Sequence, residues 1–116
     1  VSSPKKIFHI LSKASWAAAQ QVGEYRGDTL LSEGFIHCSL IHQVLFVANA
    51  RFKGREDLVL LSINETRVTP EVKYEEGEVG VLFPHIYGPL NLDAIIGAYE
   101  LLPDQDGLFR LPEGVD

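Results

Sequence analysis

The chain has a single cysteine, Cys38, so no internal disulfide can form and the small secreted scaffolds that depend on disulfides are excluded. A reducing compartment fits this best. Long apolar runs are also missing: the longest, such as Val44 to Ala48, fall far short of the roughly 20 residues a membrane-spanning helix needs. No basic segment leads into an apolar stretch near the start, and the expectation is a cytoplasmic protein with no membrane partner. Basic residues are scarce. Ten Lys and Arg against sixteen Asp and Glu give a formal charge of −6, too acidic for broad phosphate neutralisation, and no DNA partner is expected. Neither GxxxxGK nor GxGxxG occurs, which removes the P-loop and the Rossmann site. CxxC, HxH and HExxH are absent as well. A metal set drawn from His9, His37, His85 and Cys38 is opposed by strand alternation, which turns Cys38 away from its neighbour His37, and no metal is expected.

What remains is an ordinary globular composition, 46% hydrophobic and 22% charged over 116 residues, which suits one domain (1–116) with one core. Lys6 to Leu11 (KIFHIL) reads as a mostly buried strand containing His9. Ser12 or Ser15 then caps a helix that carries Trp16, Ala19 and Val22 on its apolar face and stops at Gly23. Glu24 to Glu33 reads as irregular, with Tyr25 and Arg26 exposed. Gly34 to Leu40 (GFIHCSL) is a second strand with Phe35, His37 and Ser39 on one face, and Ser39 suits the cap of a helix over Ile41 to Phe52. Asp57 to Ile63 has the unbroken apolar character of a central strand, and a fourth strand lies around Val72 to Glu75. Glu75 to Val81 reads as an acidic loop, Phe83 to Leu90 (FPHIYGPL) as a stiff extended stretch or turn, and AIIGAYELL as the last strand before a polar, turn-rich tail. The fold class is α+β with two main helices.

Three of the four histidines, His9, His37 and His85, fall in apolar settings. Each alone reads as a core imidazole satisfied by a backbone carbonyl, whereas the three together point to a shared polar pocket. Cys38 reads as a small core residue, because a strand sends it away from His37, and His42 as a surface or capping residue. Glu75 and Glu76 read first as a solvated charge run, with a catalytic carboxylate as the alternative. The basic groups Lys5, Lys6, Lys13 and Arg51, Lys53, Arg55 read as surface that could serve an anionic small molecule.

Three segments in this order, HILSKASW, EGFIHCS and FPHIYGPLN, resemble a small domain-of-unknown-function family with an ADP-ribosyltransferase-like fold. The resemblance implies a split, curved, mixed or antiparallel β-sheet around a cleft that accepts NAD in the enzymatic relatives. His9 matches the position that holds the adenosine ribose, and His37 with Ser39 matches the motif beside the nicotinamide. A late Gln-x-Glu or Glu-x-Glu is missing, and FPHIYG stands in its place with His85 and Tyr87. On this expectation His37 and His85 are the catalytic candidates, while His9, Ser39, Tyr87 and Tyr25 contact NAD or a related nucleotide. A non-catalytic nucleotide or small-ligand module of the same fold is the alternative, and an RNA 2′-phosphotransferase-like activity is more distant.

Overall fold

The computed structural model describes residues 5–77 and 80–115. Strand β4 (Leu58–Asn64) organises it: the sequence LVLLSIN is apolar on both faces, and residues 58–63 are all buried. Such a strand has to be covered on both sides. Strand β1 (Lys6–Ser12) pairs along one edge and β8 (Ile95–Leu101) along the other, both antiparallel. Ile7, Leu11, Val59, Leu61 and Ile63 point to one apolar cluster, whereas Phe8, Leu58 and Leu60 point to a second one shared with Leu101 and Phe109.

Helix α1 (Lys13–Val22) follows β1 at once. Ser12 accepts the backbone N–H of Ser15, and Gly23, at φ 97°, closes the last turn by donating to the Ala19 carbonyl. Trp16 and Ala19 turn to the first cluster, but Val22 is exposed, because six residues on from Trp16 it stands about 120° around the helix from that side chain. Helix α3 (Val44–Arg51) covers the second cluster with Val44 and Ala48. Its entry is a 3-10 turn, Ile41–Gln43, and Ser39 does not cap it. The buried amide of Gln43 does that work instead: its oxygen accepts the Leu40 N–H and its nitrogen donates to the Leu82 carbonyl, both at 2.8 Å. Replacing Gln43 by Leu strands two backbone groups and is expected to cost about 2 kcal/mol in urea unfolding.

The stretch expected to be irregular is ordered. It contains β2 (Glu24–Tyr25) and helix α2 (Asp28–Glu33), which ends at Gly34 with φ 89°. Single-residue turn chemistry at Gly27 and Asp28 concealed a six-residue helix bounded by two glycines. Tyr25, expected to be exposed, is buried because its strand pairs with β7 (Leu90–Asn91). Beyond it, β3 (Ile36–His37) pairs with β6 (Leu82–Tyr87), which pairs in turn with β5 (Glu71–Glu76). Glu75 and Glu76 therefore belong to a strand and not to a loop; residues 78 and 79 of the expected loop lie outside the described residues. The strands form three small sheets rather than one, and every described pairing is antiparallel. Among the described residues no helix is long and apolar enough to cross a membrane.

Residues 36–39 join the first and third sheets. Ile36 and His37 lie opposite Ile86 and His85, the Cys38 N–H reaches the Pro84 carbonyl at 3.0 Å, and Ser39 then exchanges two 2.7 Å backbone bonds with Phe8 of β1. Pro84 is tolerated in β6 because it keeps the acceptor half of this pairing, and its missing N–H falls where the chain is already turning toward β1. The outer edge of β1 past Phe8 faces a cleft between the sheets.

Candidate functional site

The cleft has a volume of about 600 Å³. Its lining runs from His9 to Ser12 on β1, across Phe35, His37 and Ser39, to His85 on β6, with Arg51 and Arg55 from the end of α3 and beyond. The size falls within the usual range for small-molecule sites. Two groups of side chains meet there, and they are built differently.

The first centres on His9. Its Nδ1–H donates to the His37 carbonyl at 2.5 Å, and a carbonyl can only accept, so the proton lies on Nδ1. Nε2 is therefore the acceptor, and the Tyr25 hydroxyl donates to it at 2.8 Å. One imidazole thus joins β1, β2 and β3, which belong to three different sheets. Desolvation pulls its pKa down to about 4, partly offset by the bond to His37, so the ring is neutral at neutral pH. Burial likewise pushes the Tyr25 phenol up. Both ring nitrogens of His9 are occupied by the protein, whereas the buried Ser39 contributes only backbone bonds to the bridge and lines the cleft with its side of the chain.

The second group stands on the third sheet. Cross-strand register puts His37 opposite His85, and alternation adds Phe35 and Tyr87 to the same face. Phe35 stacks on His85 with centroids 4.1 Å apart and planes 18° apart, and His37 meets His85 edge-on at 5.2 Å. The His37 side chain is half exposed, with Nε2 at 3.3 Å from the Glu33 carboxylate at the end of α2. His85 is buried; its Nδ1 lies 2.8 Å from Glu75 Oε1, which also accepts from the Tyr87 hydroxyl at 2.5 Å. The bonds from Tyr87 and His85 hold the Glu75 carboxyl below the usual carboxylate range, and the same carboxylate pushes Tyr87 up to about 12.

The structure brings His9, Tyr25, His37, Ser39 and His85 to one cleft. Tyr87 stands behind them, bonded to Glu75 and tilted against Phe35 at 5.2 Å. Cys38 is buried, and burial pushes its thiol up, which suits a core residue and not a nucleophile. Two residues of the site were given less weight from the sequence than their contacts give them. Glu75 was read first as solvated, although it sits two residues from the register partner of His85, and Phe35 was recognised only as a face-mate of His37. Among the described residues no three His, Cys, Asp or Glu side chains are grouped to hold a metal ion.

Comparison with known proteins adds the family. The chain matches a crystal structure of protein CC0527 from Caulobacter crescentus at 34% identity, covering 91% of this chain and 94% of that one with a TM-score of 0.85. The solution NMR structure of CC0527 is matched at 34% identity over 94% of this chain and 92% of that one, with a TM-score of 0.79. Comparison with curated proteins gave no match. Residues 10–98, which run from the end of β1 into β8 and hold the cleft lining apart from Phe8 and His9, match the model of a protein family of unknown function, and the chain belongs to that family, DUF952.

Proposed function

We propose that the cleft binds NAD or a related nucleotide, and that the chain is an ADP-ribosyltransferase-like domain that transfers ADP-ribose to an acceptor. The observation that carries this reading is the meeting, in one cleft of about 600 Å³, of an aromatic wall with hydroxyl and guanidinium groups. Phe35, His37 and His85 offer ring faces and edges to a flat heterocycle. The Ser15 and Ser39 hydroxyls, with Arg51 and with Arg55 in its paired state on Asp57, suit a ribose-phosphate chain. Division of the strands into sheets that part at the Phe8–Ser39 bridge supports the split-sheet resemblance.

In this reading His9 works through its neighbours, since both its nitrogens are engaged: it holds the Tyr25 hydroxyl and the His37 carbonyl at the cleft. Ser39 and Tyr25 present hydroxyls to ribose, His37 lies beside the nicotinamide, and His85, backed by Tyr87, faces the reacting carbon. The missing Gln-x-Glu favours a second reading, a binding module of the same fold with no turnover.

Calorimetric titration with NAD and with ADP-ribose tests the proposal. Saturable binding is expected, and Phe35→Ala is expected to weaken it about tenfold, the loss of roughly 1.4 kcal/mol that a stacking partner contributes. If the parent protein binds neither compound, the proposal fails. Binding without release of nicotinamide would select the module.

A further inference from the structure

We infer that Glu75 and His85 form a carboxylate–imidazole general-base pair whose working atom is His85 Nε2, and that the acceptor it serves is a hydroxyl, either water or an alcohol. The identity of the electrophile rests on the nucleotide reading above; the pair itself does not.

Geometry carries the inference. Glu75 Oε1 takes a bond from His85 Nδ1 at 2.8 Å and a second from the Tyr87 hydroxyl at 2.5 Å. An ionised carboxylate only accepts, so the His85 proton sits on Nδ1, and in the neutral ring Nε2 carries the lone pair. Stacking on Phe35 fixes the plane of the ring. His9 provides the contrast. It is a histidine placed for structure, and the protein satisfies both its nitrogens. His85 is more deeply buried, yet only Nδ1 has a partner among the described residues. No buried side-chain nitrogen or oxygen among them is left without a partner, so Nε2 is reachable, and His85 lines the cleft.

The charged and titratable groups around the pair fit this use. Lys73, the register partner of His85 on β5, places its ammonium over the Tyr87 ring at 4.8 Å. His37 approaches from β3 at 5.2 Å, and Glu76 lines the cleft nearby. None of them competes for Nδ1. Glu75 is therefore a positioning residue that selects the tautomer and balances the imidazolium.

In the transfer step the acceptor O–H gives its proton to His85 Nε2 while an oxygen lone pair forms the bond to C1 of the nicotinamide ribose. The C1–N bond breaks, its electron pair returns to the pyridine ring, and neutral nicotinamide leaves. The imidazolium then releases its proton to solvent.

The test uses two probes on the full chain: NAD, and p-nitrophenyl acetate as a small activated ester that needs only a base or nucleophile. Glu75→Gln is expected to lower kcat about 10- to 100-fold with KM unchanged, because a glutamine does not enforce the Nδ1–H tautomer. Glu71→Gln removes the same charge from the exposed end of β5 and is expected to leave turnover as it was. Nitrogen-15 spectra of the imidazoles should show the Nδ1–H form of His85 in the parent and a mixture in Glu75→Gln. Ester turnover that depends on Glu75 while NAD stays intact keeps the pair and removes NAD as substrate. If the parent turns over neither probe faster than Glu75→Gln does, the pair is overturned, whatever binding is found.

Discussion

Between pH 6.5 and pH 4 the protein is expected to lose about 3 kcal/mol of folding stability through His9 alone, and His9→Gln is expected to remove most of that slope. The native ring is neutral, and its pKa is lowered from 6.5 to about 4. Over this window the unfolded chain binds a proton that the folded chain refuses. Stability is therefore full above pH 6.5, declines as the pH falls, and stops depending on this group below about 4. Protonating Nε2 would also displace the Tyr25 hydroxyl as donor. Glu75 acts in a lower window, since its carboxyl is held below 4.5 and its contribution is lost only as the pH falls further. His9→Gln carries a separate penalty at pH 7 of about 2 kcal/mol, because glutamine cannot reach both the His37 carbonyl and the Tyr25 hydroxyl. Urea midpoints for both proteins at pH 4, 5, 6 and 7 check the two effects together. Parallel curves would remove the role assigned to the imidazole.

Leu60→Ala is expected to destabilise the fold by about 3–4 kcal/mol. Leu60 is fully buried on β4, in the cluster with Phe8, Val44, Ala48, Leu101 and Phe109. A truncation there leaves a void that cannot collapse easily, because β4 is held on both edges by β1 and β8. The contrast is Ile96→Ala on edge strand β8. Ile96 is 50% exposed, and its loss should stay within about 0.5 kcal/mol. Urea unfolding at neutral pH separates them, and an unchanged m-value would show that the denatured state is not the cause.

Much of this architecture was legible in the residues. The unbroken apolar run of β4, the Ser12 cap and the Gly23 stop each act within a few neighbours, and each appears where the pattern put it. The three histidines were read correctly as one locality, yet two different uses of histidine lay behind the same signal: His9 joins sheets and His85 faces the cleft. Nothing near either residue in the chain separates them, because the deciding partners are 16, 28 and 10 positions away. Glu75 was misjudged for the same reason, since an acidic pair beside a glycine looks solvated until strand register sets it against His85 and Tyr87. Division into three sheets was also hidden: alternation tells which face a side chain takes and says nothing of which backbone it bonds. Ser39 illustrates the point, because its hydroxyl suited a helix cap while its backbone was committed to Phe8.

The bridge at Phe8 and Ser39 divides the molecule into parts that open at different free energies. Among the described residues two backbone bonds and the His9 contact to the His37 carbonyl are the hydrogen bonds that tie the strand around Ser39 to β1, beside the apolar cluster that Ile36 and Cys38 share with Ile7 and Leu11, whereas β4 is laddered on both edges and buried on both faces. A fluctuation that swings the third sheet away from β1 separates His37 and His85 from His9 and parts Ile36 and Ile86 from Ile7 and Leu11, while the backbone ladders of the β1-β4-β8 sheet do not depend on it. The amide proton of Ser39, which donates to the Phe8 carbonyl, is therefore expected to exchange with solvent through that partial opening, and those of β4 through complete unfolding. A molecule seated across the cleft acts first on the former, so its occupancy is legible in the exchange of the Ser39 amide before any change in the melting of the whole.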